Sequence, residues 1–152
     1  MGTSKKVVDK NDKITYIKHR KAGGEVLLSK FKVSNFLSFD DEQTFSMEAG
    51  KVRSHIDRIY TDNNAKLLKF MAIYGANASG KSNLVSAFNF AQMAIIEGIP
   101  TRAYVYYCKL NRENKMKSSR FEFTIILDHH KYVYGFDVVI SSGSFVSEYL
   151  KL

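Results

Sequence analysis

The chain has 152 residues, of which 45% are hydrophobic and 25% charged, and its net charge is +8. This length and composition indicate about one soluble globular domain and exclude a disordered or fibrous protein. No apolar run approaches the ~20 residues that cross a bilayer, and the polar N-terminus lacks a signal-peptide core. The sequence has one cysteine, which fits a reducing compartment. We therefore expect a cytoplasmic protein without a membrane partner.

Residues 1–24 are the most basic part of the sequence. Seven lysines or arginines stand against two aspartates, which gives this segment +5 of the total charge. We predict a flexible basic arm that contains a short strand at Ile14–Ile17 and ends at Gly23 and Gly24. A solvated arm is the interpretation favoured by composition, although DNA or RNA would be attracted by the same charge.

Residues 25–152 are predicted to form the folded part. Alternating apolar residues predict strands at 26–33 and 43–47 with a loop over 34–41 between them. Residues 49–66 are polar and indicate a surface connection. The run 67–74 is nearly all apolar, which is typical of a strand buried on both faces of a parallel sheet.

A helix is predicted from Ser82 to about Glu97, where Gly98 and Pro100 provide a stop signal. Its expected apolar face follows helical spacing with one polar exception and comprises Leu84, Val85, Phe88, Ala91, Gln92, Ile95 and Ile96. Tyrosines follow at 104, 106 and 107, and a half-buried strand explains them more simply than a surface that stacks on bases.

The last third of the sequence indicates β-structure. Apolar and polar residues alternate over 121–127 and again over 132–140, which predicts an antiparallel hairpin with a turn at 128–131. A second turn at 141–144 and a final strand at 145–150 complete the pattern.

One motif in the sequence indicates a binding function. Residues 75–82, with the sequence GANASGKS, match the pattern G-x-x-x-x-G-K-[ST] of phosphate-binding loops. The motif stands between a predicted buried strand and a predicted helix, which is the context that this loop requires. The alternative interpretation is an ordinary strand-to-helix turn with an exposed lysine.

The residue types of the motif suit a triphosphate. Glycines at 75 and 80 allow a tight turn and close approach of the backbone to phosphate, and backbone N–H groups from about 77 to 82 converge on its oxygens. Lys81 should reach the β- and γ-phosphates and is the candidate catalytic residue, while the Ser82 hydroxyl should ligate Mg²⁺. The predicted nucleotide-binding residues are Gly75, Ala76, Asn77, Ala78, Ser79, Gly80, Lys81, Ser82 and Asn83.

The segment 72–84 resembles the heads of RecF/SMC/ABC-type ATPases, and among them the AAA-type ATPases of the OLD-like and abortive-infection kind. Residues 31–39 resemble the opening strand of those heads, and residues 121–136 and 147–150 resemble their antiparallel β subdomain. The resemblance covers about residues 25–152. It implies an α/β fold of the P-loop NTPase type. The expected half-domain contains one strand–P-loop–helix unit and an accompanying antiparallel β subdomain. The implied cofactors are ATP and Mg²⁺.

The sequence departs from this family at two positions. Many relatives carry Arg where Leu37 stands, which leaves Asn35 and Ser38 as the polar neighbours of the phosphates in that segment. Ala78 occupies the place of a frequent second loop glycine, and alanine fits there if its φ is negative.

Hydrolysis in this family also needs an apolar run that ends in Asp-Glu. Residues 124–128 imitate it, but His129 stands in the place of the Glu, and the hairpin turn explains Asp128 better. Residues 93–97 are a second imitation inside the predicted helix, and residues 140–143 only faintly resemble the signature loop. We therefore expect an incomplete N-terminal lobe of an ATPase head, completed by a homodimer or by a missing C-terminal ATPase half.

Two functions from different classes follow. The first is part of an ATPase in DNA repair or antiphage defence. The second is a basic nucleic-acid-binding module with a vestigial P-loop, and a small-molecule kinase is a weaker third option. By its charge, the region of residues 47–48 and 51–58 is a candidate DNA-facing loop of a dimeric head. Adjacent His129 and His130 indicate an exposed turn rather than a metal site, and Cys108 is expected to be inert.

Overall fold

A five-stranded antiparallel sheet and one long helix dominate the computed structural model, which describes residues 5–8, 14–17, 26–51, 55–61 and 65–152. Of the predicted arm at residues 1–24, only 5–8 and 14–17 belong to these residues, and Gly23 and Gly24 lie outside them. The helix α1 spans Lys81–Ile96. In chain order the strands of the described part are β1 (Lys5–Val8), β2 (Ile14–Ile17), β3 (Leu27–Ser34), β4 (Gln43–Ser46), β5 (Ile59–Thr61), β6 (Lys66–Leu68), β7 (Ser119–Leu127), β8 (His130–Val139) and β9 (Ser144–Lys151).

The main sheet has the order β4-β3-β7-β8-β9, and all of its neighbours are antiparallel. The predicted β7–β8 hairpin is confirmed, with a tighter turn than expected. The two turn residues, Asp128 and His129, have φ 50° and 64°, which is the backbone of a two-residue type I′ turn. The interpretation of Asp128 as a turn residue is therefore confirmed, and so are the strands predicted near 26–33, 43–47 and 145–150.

The hydrophobic core lies between α1 and one face of this sheet. Phenylalanines from both elements stack across the interface, with 4.0 Å between the ring centroids of Phe31 and Phe88 and 5.1 Å between those of Phe90 and Phe121. The buried members of this core are Phe31, Val33, Phe36, Ala87, Phe90, Ala91, Ala94, Ala103, Phe121, Phe136, Val138 and Ile140. The sheet thus supports the helix along its length, including the turn that follows the 75–82 loop.

The opposite face of the sheet carries a charged network. Lys32 lies between Glu42 and Glu122, at 3.3 and 3.4 Å, and the Tyr149 hydroxyl donates a 2.5 Å hydrogen bond to Glu122. These cross-strand pairs satisfy the polar groups of a face that no helix covers in the described part of the chain.

The apolar face predicted for α1 is right in part. Ala91 is buried, and Leu84 and Phe88 pack against the core, but Val85, Ile95 and Ile96 remain 59%, 46% and 66% exposed. The helix carries apolar residues on two sides, and the sheet covers one of them. Spacing alone did not distinguish the two sides, because both repeat every three or four residues.

The strand predicted at 67–74 is wrong beyond Leu68. β6 pairs antiparallel with β5, and residues 69–76 belong to no strand. Phe70, Ile73 and Tyr74 are 77%, 47% and 89% exposed, since no strand within the described residues pairs with this run or covers its faces. The loop and helix of the predicted unit are present, but its parallel strand is not.

Three other segments also differ from expectation. The connection 49–66 contains β5 and the start of β6. The strand predicted at Ile14–Ile17 is confirmed as β2, but its partner β1 was not predicted. Tyr104, Tyr106 and Tyr107 follow the 3-10 turn Thr101–Ala103 and lie outside any strand. The fold is mixed α/β with antiparallel sheets, and in its described part no helix is long and apolar enough to cross a membrane.

Candidate phosphate-binding loop

The 75–82 loop leads directly into α1 through Gly80, which has φ 90° in the left-handed region. A Cβ added to Gly80 would lie 3.2 Å from the ring of Phe39 and 3.5 Å from the Ser38 hydroxyl. The left-handed backbone therefore favours glycine here, and an added Cβ would also be in tight contact with Phe39. Phe39 sits in the connection between β3 and β4, so the main sheet braces the base of the loop.

Backbone donors gather at the start of α1. The first intrahelical bond runs from the Leu84 N–H to the Gly80 carbonyl oxygen at 3.0 Å, and no side chain caps the helix. Helix geometry leaves the preceding N–H groups, those of Lys81, Ser82 and Asn83, without an intrahelical acceptor. With the positive end of the helix dipole, they form a surface that favours anions.

Lys81 folds back over the loop. Its ammonium group donates hydrogen bonds to the carbonyl oxygens of Gly75 and Ala76 at 2.7 and 2.6 Å and to the Ser79 hydroxyl at 3.1 Å. One side chain therefore links the beginning of the loop to its end and places a positive charge inside it. Residues 77–83 enclose a groove of about 290 Å³ beside this charge.

Ala78 corrects the expectation of a negative φ. Its φ is 63°, in the left-handed region that favours glycine. The backbone at this position therefore has the conformation that glycine adopts most readily, and the alanine occupies it under strain.

The predicted polar neighbours of the loop, Ser38 and Asn35, have different positions. The Ser38 hydroxyl accepts a 2.7 Å hydrogen bond from the Asn83 amide, which brings the 34–41 segment to the start of α1. Asn35 is 5% exposed and turned inward, so the expectation that it faces the phosphates is wrong.

Asn35 instead joins two segments that are distant in sequence. Its amide donates to the carbonyl oxygens of Asn114 and Lys117 at 2.9 and 3.1 Å, and its Oδ1 accepts from the buried Cys108 N–H at 3.1 Å. A further bond runs from the Leu37 N–H to the Tyr106 carbonyl oxygen at 2.7 Å. These contacts hold the residue 104–109 segment beside the 34–41 segment, an arrangement that the sequence did not reveal.

The two adjacent histidines lie in a turn outside the loop, as the sequence indicated. His129 and His130 are exposed at the β7–β8 turn, where the His130 ring is 2.8 Å from the Asp128 carbonyl oxygen. Within the described residues no group of three His, Cys, Asp or Glu could hold a metal ion. The candidate site is therefore the loop with its immediate neighbours.

Comparison with protein families gives the class of this domain. Residues 70–140 match the family described as "AAA domain, putative AbiEii toxin, Type IV TA system". The match spans the loop, α1 and the β7–β8 hairpin, and it supports the likeness of this part of the chain to AAA-type domains. More narrowly, the resemblance to abortive-infection-like P-loop ATPases is confirmed.

No curated protein and no solved structure matches the chain significantly. The family indicates a nucleotide-binding, ATPase-type function and, in general terms, the use of a nucleotide and a metal ion.

Proposed function

We propose that residues 75–83 bind the triphosphate of ATP with Mg²⁺, and that the chain acts as the N-terminal part of an ATPase in DNA repair or antiphage defence. The supporting observation is the convergence of the Lys81 ammonium and the first N–H groups of α1 on one exposed groove. The proposed defence role draws on the family description of residues 70–140.

Each residue of the site has a role in this proposal. The N–H groups of Lys81, Ser82 and Asn83 hold the α- and β-phosphates, and the ammonium of Lys81 exchanges its carbonyl partners for β- and γ-phosphate oxygens. The exposed Ser82 hydroxyl ligates Mg²⁺. Lys81 acts catalytically by stabilising negative charge on the transferred phosphoryl group.

Hydrolysis would need an acidic group that activates water. Asp128, the sequence candidate, lies at the far end of the β7–β8 hairpin in a two-residue turn. In this proposal the acidic residue comes from a second copy in a homodimer or from a C-terminal ATPase half.

The test is the affinity for Mg²⁺–ATP, measured by calorimetry for the native chain and for Lys81→Ala. Loss of charge-assisted hydrogen bonds worth roughly 1.5–3 kcal/mol should weaken binding about 10- to 150-fold. Lys115→Ala is the matched control, because it removes the same charge from an exposed 3-10 turn outside the loop. Equal ATP affinity in all three proteins would overturn the proposal.

A second candidate function, nucleic-acid binding by the basic arm, is favoured by the +5 charge of residues 1–24. Replacing the arm lysines with glutamine should then abolish DNA or RNA binding, whereas Lys81→Ala should leave it unchanged. Native DNA affinity in the arm variant would exclude this function without affecting the ATP proposal.

A further inference from the structure

We propose that the nucleoside of the bound triphosphate lies in a groove between Asn83 and Tyr107, with the tyrosine ring stacked on the base. This inference rests on the proposed function, since it names the part of the ligand that extends beyond the phosphates.

The position of Lys81 sets the direction of the ligand. Its ammonium lies at the carbonyl oxygens of Gly75 and Ala76, and this group marks the β- and γ-phosphate end of the site. The N–H groups at the start of α1 hold the α- and β-phosphates. The α-phosphate therefore lies on the side of these N–H groups that is away from the Lys81 ammonium. The nucleoside attached to it extends toward Asn83 and Ser38.

A groove opens at that point. It has a volume of about 400 Å³ and is lined by Leu37, Ser38, Asn83, Val105, Tyr106, Tyr107 and Lys109. This volume falls within the range of small-molecule sites. The hydrogen bond between Asn83 and Ser38 forms its border with the phosphate loop, so the two sites are continuous.

The aromatic wall of the groove is held in place by its neighbours in sequence. The Tyr106 carbonyl oxygen accepts from the Leu37 N–H, and the Cys108 N–H donates to Asn35. The Tyr106 ring packs edge-on against Phe36, with 6.1 Å between the centroids. Tyr107 lies between these two anchors, packs partly against the hydrophobic core and lines the groove, which fixes its side chain at the groove wall.

The other two grooves at the loop suit a nucleoside less well. One contains Asp40 and Asp41 beside Gly80, and their carboxylates would repel the α-phosphate. The other, of about 530 Å³, is lined by residues 71–75 and Lys81, which places it at the β- and γ-phosphate end. The Tyr107 groove combines the correct end of the site with an aromatic surface and the cation of Lys109.

The test compares ATP with inorganic tripolyphosphate, both with Mg²⁺, in calorimetric titrations. The native chain should bind ATP more tightly, because a stacked base contributes a factor of about 5 to 150 in affinity. Tyr107→Leu, which keeps apolar bulk but removes the ring, should lose this preference and retain its tripolyphosphate affinity; Tyr107→Phe should keep both. Tyr104→Ala is the control, since that ring belongs to the same segment but lies against Gly143.

The outcomes separate the two proposals. Tripolyphosphate binding that depends on Lys81, together with unchanged ATP affinity in Tyr107→Leu, would overturn the nucleoside site and leave the phosphate site standing. If the native chain bound neither ligand, the proposed function would fail and the nucleoside site with it.

Discussion

Ala78 occupies a loop position whose φ of 63° puts its Cβ close to the following carbonyl group. The left-handed conformation costs an alanine about 1–2 kcal/mol, whereas glycine adopts it freely. Glycine also gains entropy in the unfolded chain, which offsets part of this difference. The loop therefore holds Ala78 in a backbone conformation that would be more stable with glycine at this position.

We predict that Ala78→Gly raises the free energy of unfolding by about 0.5–1 kcal/mol, which corresponds to roughly 1–4 °C in Tm for a chain of this size. Thermal unfolding followed by circular dichroism measures the change. Ala76→Gly is the control, because Ala76 does not have a positive φ and the same substitution should lower the Tm there. A lower Tm in both variants would contradict the argument from strain.

Asn35 shows which part of the site the sequence could not reveal. Its position before Phe36 in a predicted loop gave no reason to expect burial, and its partners are 73 to 82 residues away. By contrast, Gly80 and Lys81 were identified by spacing within eight residues. Local motifs are visible in a sequence, whereas a hydrogen-bonding hub becomes visible only when the distant strands are brought together.

Among the elements, β8 and β9 share an unusual contact. Gly135 lies opposite Tyr149, whose ring crosses the glycine to reach Glu122 on β7. A Cβ at Gly135 would be 2.5 Å from the Tyr149 hydroxyl oxygen and 2.6 Å from Cζ. The glycine therefore makes room for a side chain that connects three strands.

Gly135→Ala should displace the Tyr149 ring and break its bond to Glu122, which lowers the free energy of unfolding by about 1–3 kcal/mol. Urea denaturation measures this loss. Gly50→Ala provides the control, since an added Cβ there meets nothing within 4 Å and should change stability by less than about 0.5 kcal/mol. Equal stability of the two variants would show that Tyr149 repacks without cost.

The elements also show where sequence patterns succeed. The β7–β8 hairpin was predictable, because apolar and polar residues alternate along both strands, even though burial extends to both faces at residues 135–138. Residues 69–76 were not, since an apolar run becomes a buried strand only when neighbouring strands pair with it. The segment around Tyr106 carries three tyrosines without regular alternation, and backbone hydrogen bonds to Leu37 decide its path.

For the whole molecule, acid stability depends on carboxylates of the charged sheet face. Burial alone would raise the pKa of Asp137, but hydrogen bonds from Arg120 and Ser147 and the guanidinium charge outweigh it and lower the pKa below 3.8. The pKa of Glu122 is lowered below 4.5 in the same way, against burial, by Tyr149 and Lys32.

A lowered pKa in the folded state means that the stabilisation is complete above the ordinary pKa and is lost as the pH falls through the folded value. The free energy of unfolding should therefore decrease below about pH 4, and Asp137→Asn should flatten this decrease. Urea titrations from about pH 6 to about pH 2.5 measure the slope. Asp57→Asn, at an exposed site, should keep the native slope; a native slope in Asp137→Asn would contradict the assignment.

Exposed apolar side chains are concentrated on both sides of the loop in the chain. Phe70, Ile73 and Tyr74 precede it, and Val85 follows it on α1, all with 47% or more of their surface exposed. The sheet covers the loop from one direction only. At the scale of the molecule, the candidate site therefore lies at an uncovered margin of the core and not in a deep cavity.

The hydrogen bonds from Lys81 to the carbonyl oxygens of Gly75 and Ala76 reduce the entropy that the loop would lose on binding an anion. Because one side chain joins the two ends of the loop, the backbone amides are already oriented before an anion arrives. A flexible loop would lose conformational entropy when it bound an anion, whereas this loop has already lost that entropy on folding. A polyphosphate would therefore meet backbone amides already in position, and the Lys81 ammonium would release the two carbonyl oxygens as it turned to the phosphates.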